Sequence, residues 1–382
     1  MASITQDFSL LFLVLLIIFT SISSTTSTPI LGVTIHHHPQ STTPEHIAAA
    51  ITRRKIAAVR LIDPDPNLIR AFSYSSVSLL LSIPNTLVSS LASNRSNAAV
   101  WLYTHVVPFY PRANISVISV GSDVLSSSSD LADDILPAIR NVHVALHELG
   151  IRKISVSTTF SLIPLLTSAF PPSSAEFEEP VNDVVVRPLL EFLDEANSSF
   201  LVNIHPYDLY RLNYEIVLGF ALFQESPYNF MDDSTTGVRY QNLFDTMIDA
   251  VLSAMAVAGH ENIPLIITET GWPSSPGTNE ENNANQVFAE MYLKGLTKHL
   301  KSGVGTPLKK DGVSEVYIYE MFDRERGQGN SSGLTRQWGI FYPNLTSKYE
   351  LDLSGSSRIS ESKGLLTILS VCLMMAVLDL LV

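Results

Sequence analysis

The chain reads as a closed (β/α)8 barrel, and three observations carry that reading. Short apolar runs alternate with longer amphipathic segments eight times between Ile30 and Phe322. Each run stops at a Pro, a Gly or a polar residue, as buried parallel strands do. The Gly-rich first turn of an open, doubly wound nucleotide-binding sheet, the rival architecture, is absent.

The elements follow in order. Ile30 to Ile35 (ILGVTI) is the first strand, and Thr43-Pro44-Glu45 opens a helix through Arg54 with Thr43 as its cap. Ala57 to Ile62 (AAVRLI) is the second strand and ends in Asp63-Pro64-Asp65. Leu79 to Ile83 is the third and ends in Pro84-Asn85; a helical stretch with Trp101 and Tyr103 follows. Ile115 to Val120 is the fourth, ending in Gly121-Ser122-Asp123, and Leu131 to Leu149 has helical periodicity closed by Gly150. Lys153 to Val156 begins the fifth strand, and an irregular connection runs from Ser173 to Asp183. Helix Arg187–Ala196 leads into the sixth strand, Phe200 to His205, which ends in Pro206-Tyr207. A polar loop from Gln224 to Gly237 precedes a helix over Asn242 to Gly259. The seventh strand is Pro264 to Thr268, followed by a helix over Glu280 to Ser302. The eighth is Val316 to Phe322; a loop from Gly327 to Gly333 and the segment Trp338 to Tyr342 close the domain.

Both ends differ from the middle. The apolar run within Phe8 to Thr20, followed by a Ser/Thr-rich stretch, reads as a secretory signal peptide over residues 1–27; an uncleaved membrane anchor is the alternative. Leu365 to Val382 is apolar and follows small residues and a polar spacer. That order is the signal for a glycosylphosphatidylinositol anchor, with Ser354 as attachment candidate and residues 355–382 removed. Asp379 disfavours the alternative, a single membrane span. The domain then covers 28–354 and faces the cell wall from the outer leaflet of the plasma membrane. Its one Cys, Cys372, lies in the discarded tail, so the domain relies on its core rather than on disulfides. Asn94, Asn114, Asn197, Asn330 and Asn344 head sequons and are N-glycosylation candidates. A net charge of −13 argues against a nucleic-acid partner. No cofactor is expected. Three consecutive histidines, His36-His37-His38, alternate faces on a strand and cannot share one metal ion. A monomer is expected.

The polar residues just after the strands converge on one face of a barrel. They are His36, Asp63, Asn85, Asp123, Asn203, His205, Tyr207, Glu269, Trp272 and Asp323. Acids, amides and aromatics suit sugar binding and glycoside hydrolysis, which needs two carboxyl groups flanking the bond. Strands four and seven are read as opposite each other in the ring, so that Asp123 and Glu269 face across it. Taken alone, Glu269 could equally cap a helix or pair with a basic residue. Tyr207 and Trp272 could stack on sugar or belong to the core. Asp63 reads as structural and His205 as a hydrogen-bonding residue. Arg324 could pair with either acid.

The stretch IITETGWPSSPG resembles the signature of glycoside hydrolase family 17, the plant β-1,3-glucanases. VRLIDPDP, LSIPN, FLVNIHPY, NLFD, GTPL and WGIFYPN resemble family segments in family order. The resemblance implies a (β/α)8 barrel, a retaining mechanism, linear β-1,3-glucan (callose) as substrate and Glu269 as nucleophile. Asn85, Asn203, His205, Tyr207, Trp272, Asp323 and Glu325, at or beside the strand ends, are the candidate substrate contacts.

Several positions depart from that pattern. Members usually carry Gly-Asn-Glu after strand four, the Glu being the proton donor; here the residues are Gly121-Ser122-Asp123. Asp123 is one methylene shorter, roughly 1.5 Å of reach. The usual Asn-Tyr-Gly after strand one is Thr34-Ile35-His36, a usual Tyr is His205, and a usual Phe-Asp-Glu or Phe-Asn-Glu is Phe322-Asp323-Arg324. Two readings follow: an endo-hydrolase using Glu269 and Asp123, or an anchored glucan binder with little or no turnover. An anchored protein-interaction scaffold is a third.

Overall fold

The computed structural model describes residues 28–127, 129–324 and 336–354. The signal and anchor segments, Asn330, Glu325 and the Gly327–Gly333 loop lie outside the described residues.

Eight parallel strands form the barrel: β1 (Ile30–Ile35), β2 (Ala58–Leu61), β3 (Ser78–Ile83), β4 (Asn114–Ser122), β5 (Ser155–Ser161), β6 (Phe200–Asn203), β7 (Leu265–Thr270) and β8 (Glu315–Ile318). They close in sequence order, with β8 pairing β1. β4 and β7 are therefore separated by β5 and β6. That corrects the expectation that they stand opposite: the strand facing β4 across a ring of this size is β8. The two acids approach along one arc of the rim.

Most of the strands are rich in apolar residues on both faces, as fits a sheet covered on both sides, although β5 (SVSTTFS) buries Ser and Thr side chains. Inside, Ile30, Ala58, Leu80, Val117, Leu201, Ile266 and Tyr317 form a separate packed layer beneath the rim. Nearly every strand contributes one residue to it, so the barrel is filled below the site rather than hollow. The Tyr317 hydroxyl donates to Glu315 at 2.7 Å, which satisfies a buried acid in that layer. Outside, the strands pack on the helices in one continuous core.

Capping residues fix the helix starts. Thr43 accepts from the His46 N–H at 3.4 Å, and Asn242 accepts from the Asp245 N–H at 2.8 Å. Helix Gln286–Ser302 begins later than its periodicity suggests, because Asn285 caps it through the Phe288 N–H; Gly303 ends it at φ 67°. β5 runs on to Ser161, past Val156. β6 stops at Asn203 and β8 at Ile318, so His205, Glu320 and Phe322 belong to the rim loops. The polar stretch after β6 contains two short helices, Pro206–Leu212 and Leu218–Ala221, and a small hairpin pairing Met231–Asp232 with Arg239–Tyr240.

Asn94, Asn114, Asn197 and Asn344 are all exposed. Among the described residues no helix is long and apolar enough to cross a membrane.

Candidate active site

Arg60 organises the site. It lies in the middle of β2 and has no exposed surface. An unpaired guanidinium there would cost several kcal/mol, so its partners decide whether the fold tolerates it. Its Nη1 donates to Glu269 Oε1 at 2.6 Å, to the Thr268 carbonyl at 3.3 Å and to Asn203 Oδ1 at 3.4 Å. Its Nη2 donates to Ser122 Oγ at 3.0 Å. One side chain thus ties together the rim ends of β2, β4, β6 and β7.

Glu269 stands one residue before the end of β7 and is 8% exposed. Its second oxygen, Oε2, lies 3.3 Å from His205 Nε2. The His205 ring is held edge-on by Tyr319 and Trp338, with centroids 5.6 and 5.2 Å away. Burial by itself would raise the Glu269 carboxyl. The Arg60 charge and the hydrogen bond and charge of His205 outweigh it and hold Glu269 below its ordinary value. Burial opposes a charge on His205, but its bond to Glu269 and that carboxylate's charge raise it on balance. Gly271, two residues on, passes so close to the segment just after β8 that a Cβ there would meet the Tyr319 carbonyl at 2.3 Å.

Asp123 follows β4 directly. Gly121 (φ 75°) and Asp123 (φ 51°) both turn left-handed, a conformation Asp takes more readily than most side chains. Asn85 pins the intervening residue by accepting from the Ser122 N–H at 2.8 Å and donating to its carbonyl at 2.9 Å. The Asp123 carboxyl receives Ser161 Oγ on Oδ1 at 2.7 Å, and the Asn203 amide straddles both its oxygens at 3.1 Å. Burial, and then the negative charge of Glu269, push the Asp123 carboxyl above its usual range. The Ser161 bond and the charges of Arg60 and His205 only partly offset this.

Asn203 links the two acids. Its carbonyl accepts from Thr268 Oγ1 at 2.8 Å and from Arg60, which leaves the amide nitrogen pointed at Asp123. Two carboxyls thus share one site, one held below its ordinary value and the other pushed above it.

The other expected residues are distributed differently. Trp272 is 1% exposed, and its indole N–H donates to the Asn283 carbonyl at 2.8 Å. Tyr207, also 1% exposed, lies edge-on to Trp272 at 5.0 Å. Both are core residues, and Trp338, itself buried, lies edge-on to Tyr207 with ring centroids 6.1 Å apart. Asp323 accepts from Lys348 Nζ at 2.8 Å and the Gly339 N–H at 3.0 Å, so it anchors the closing segment. Asp63 is exposed, and the cap of the following helix is Asp65, which accepts from the Asn67 N–H at 2.9 Å. His36 is half-buried, with the charges of Arg324 and Glu269 acting on it. Arg324 does not bond either acid; its Nη2 donates to Tyr319 Oη at 3.1 Å and its Nε stands 3.9 Å from Glu320. The basic partner of Glu269 is Arg60. Among the described residues no group of three or more His, Cys, Asp or Glu side chains is arranged to hold a metal ion.

Arg60, Ser161 and Glu320 were not singled out by sequence. Arg60 left a signal, a charge at the centre of the apolar run AAVRLI. Glu320 left the same kind of signal inside VYIYEMF. Ser161 left none.

The model for glycosyl hydrolases family 17 matches residues 32–353. The chain is 38% identical over 320 residues to glucan endo-1,3-beta-glucosidase 2 of Arabidopsis thaliana, covering 83% of this chain and 62% of that one. It is 35% identical to glucan endo-1,3-beta-glucosidase 13 of the same plant, over 82% of this chain and 62% of the relative. The chain therefore spans about three-fifths of the length of these relatives. A solved structure of CJP38, a beta-1,3-glucanase and allergen of Cryptomeria japonica pollen, superposes with a TM-score of 0.77 at 32% identity, covering 85% of this chain and 99% of that one. With the eight-stranded barrel and the paired carboxyls at its rim, these matches place the chain in glycosyl hydrolases family 17.

Proposed function

We propose that the protein is a β-1,3-glucan endo-hydrolase acting by double displacement, with Glu269 as nucleophile and Asp123 as acid and base. The observation that carries this is the opposed state of the two carboxyls: Glu269 paired with Arg60 and His205, Asp123 desolvated beside a negative charge. In the first step Asp123 donates its proton to the glycosidic oxygen while Glu269 attacks the anomeric carbon, and the leaving chain departs as an alcohol. In the second, ionised Asp123 takes a proton from water, whose oxygen displaces Glu269 with a second inversion. Arg60 keeps Glu269 ionised before the attack and receives it again as leaving group.

A second reading, a glucan binder with little turnover, is favoured by the hydrogen bonds on Asp123. Ser161 and Asn203 all donate to a group that must itself donate. Incubating the purified protein with linear β-1,3-gluco-oligosaccharides and following the products by proton NMR separates the readings. Cleavage with the β-anomer formed first supports the hydrolase; the α-anomer first contradicts a covalent intermediate. Asp123→Asn should lower kcat by on the order of a hundredfold or more. Binding without cleavage in both forms supports the binder, and no affinity for the oligosaccharides sinks both readings. The segments flanking the barrel support secretion and a lipid anchor attached at Ser354. Release from membranes by phosphatidylinositol-specific phospholipase C tests the anchor; protein that stays with the membrane contradicts it.

A further inference from the structure

Beyond Glu269 the rim carries a cleft between the β1 and β8 ends that the mechanism above does not use. His37, His38, Phe322, Asp323, Glu320 and Arg324 line it. Most of its charges are already engaged. Asp323 holds Lys348, and His38 Nε2 lies 3.5 Å from Asp65. Arg324 is different. Its side chain is 35% exposed, its Nε has no hydrogen-bond partner, and its Nη2 rests on a neutral group, the Tyr319 hydroxyl. The nearest acid, Glu320, is 3% exposed; its Oε1 is 3.9 Å from that Nε and makes no hydrogen bond.

Arg324 Nε and Glu320 Oε1 thus stand 3.9 Å apart, buried and without hydrogen-bond partners, in two side chains that line one cleft. A neutral glucan offers only hydroxyls, which an acid or an amide binds as well as a guanidinium does. A guanidinium fork is matched instead to a carboxylate, which it can hold through two parallel N–H bonds.

We propose that this cleft is a carboxylate subsite, in which Arg324 recognises a uronic acid unit within or attached to the β-glucan chain. His37, exposed and 4.4 Å from the His36 ring, stands at the cleft mouth as a second donor. Glu320 does not compete for Arg324 in mildly acidic solution. Burial, with Glu269 and Asp323 adding to it against Arg324, pushes its carboxyl up to about 8 and keeps it protonated. The inference rests on the β-1,3-glucan reading for its chain and on Arg324 for its charge.

The experiment separates the two. Isothermal titration of the purified protein at mildly acidic pH compares laminarihexaose with the same hexaose oxidised at C6 to carry carboxylates. The oxidised form should bind about tenfold tighter, the scale of one charge-assisted hydrogen bond. Arg324→Gln should abolish the difference, and Arg324→Glu should reverse it. An equal ratio in wild type, or a ratio unchanged by Arg324→Gln in a protein with an unaltered melting temperature, overturns the proposal. Saturation-transfer NMR with free glucuronate, glucose and acetate needs neither the chain nor a variant. Glucuronate bound in preference to both, with neither hexaose bound, would keep the carboxylate subsite and remove the glucan reading. Acetate bound as well as glucuronate would reduce the cleft to a general anion contact and overturn the sugar assignment, as would no glucuronate signal.

Discussion

Replacing Arg60 by Met tests whether the site is held by the Arg60–Glu269 pair. The pair is short, 2.6 Å, and the Arg60 side chain is wholly buried. Removing one partner of such a pair strands the other charge and typically costs about 3–5 kcal/mol. Met keeps most of the volume, so little of that loss would come from a cavity. The sign of the pH dependence follows from Glu269, whose folded carboxyl lies below its ordinary value. Its contribution is present above the unfolded value of about 4.3 and is lost as pH falls through the depressed folded value. Urea unfolding should therefore show a larger penalty for Arg60→Met at neutral pH than at pH 3. Adding Glu269→Gln should recover most of the neutral-pH loss, because the stranded charge is gone. A double variant whose loss equals the sum of the single losses to within about 0.5 kcal/mol would show no coupling and refute the pairing as the organising contact. A penalty flat in pH would refute it too.

Three further outcomes follow from the same geometry. The pH profile of kcat/KM should have its acid limb below the ordinary carboxyl range, where Glu269 takes a proton, and its alkaline limb above that range, where Asp123 loses one. His205→Gln should move the acid limb upward, and an acid limb indifferent to that change would remove His205 from the control of Glu269. Glu320→Gln should stabilise the fold, increasingly from about pH 4.3 to about 8, reaching a few kcal/mol. The folded carboxyl keeps a proton that the unfolded chain sheds, so wild-type stability falls across that window while the amide is unaffected; matching melting curves at pH 9 would contradict this. Trp272→Phe should lower stability by about 1 kcal/mol, because it removes the hydrogen bond to the partly buried Asn283 carbonyl, and leave glucan affinity nearly unchanged. A large loss of affinity at unaltered stability would return Trp272 to the binding surface.

The fold was legible because its signal is repetitive. Eight apolar runs ending in punctuating residues leave little choice of architecture, and the boundary errors fall where caps outrank periodicity, as at Asn285. The acids were legible for a related reason: a polar residue after a parallel strand can only reach the rim. Spacing does not report how each rim residue is used. Asn85 looks like a sugar ligand in sequence, yet both ends of its amide are spent on the Ser122 backbone. Trp272 and Tyr207 sit at strand ends, but the rim loops turn them inward. Arg60 was the costlier omission. A charge in the middle of a two-face-buried strand is intolerable without a partner, so the run AAVRLI asked for a buried acid from another strand. The partner comes from residue 269, a separation no local pattern reveals.

If the protein works by the double displacement proposed above, the departures at Asp123, His205 and Arg324 all bear on the first displacement. A carboxylate held below its ordinary value by Arg60 and His205 is a poorer nucleophile and a better leaving group. A short acid that accepts three hydrogen bonds is held toward its ionised form by them and is a poorer donor. In the proposed mechanism both changes would slow formation of a covalent intermediate, and a weakly basic Glu269 would leave readily in its hydrolysis, so on neutral glucan no burst of product should precede the steady state. Arg324 adds its positive charge to the same field, since it and Glu269 act on each other electrostatically. A substrate carboxylate seated on Arg324 would cancel part of that field and let Glu269 recover basicity before the attack. The carboxylated hexaose should then show a higher kcat as well as a lower KM, with the kcat gain lost in Arg324→Gln. If Arg324 serves only as an anchor, KM falls and kcat stays where neutral glucan puts it. That split, read from steady-state kinetics on the two hexaoses, decides whether the reversed charge at this rim selects a substrate or also activates the nucleophile beside it.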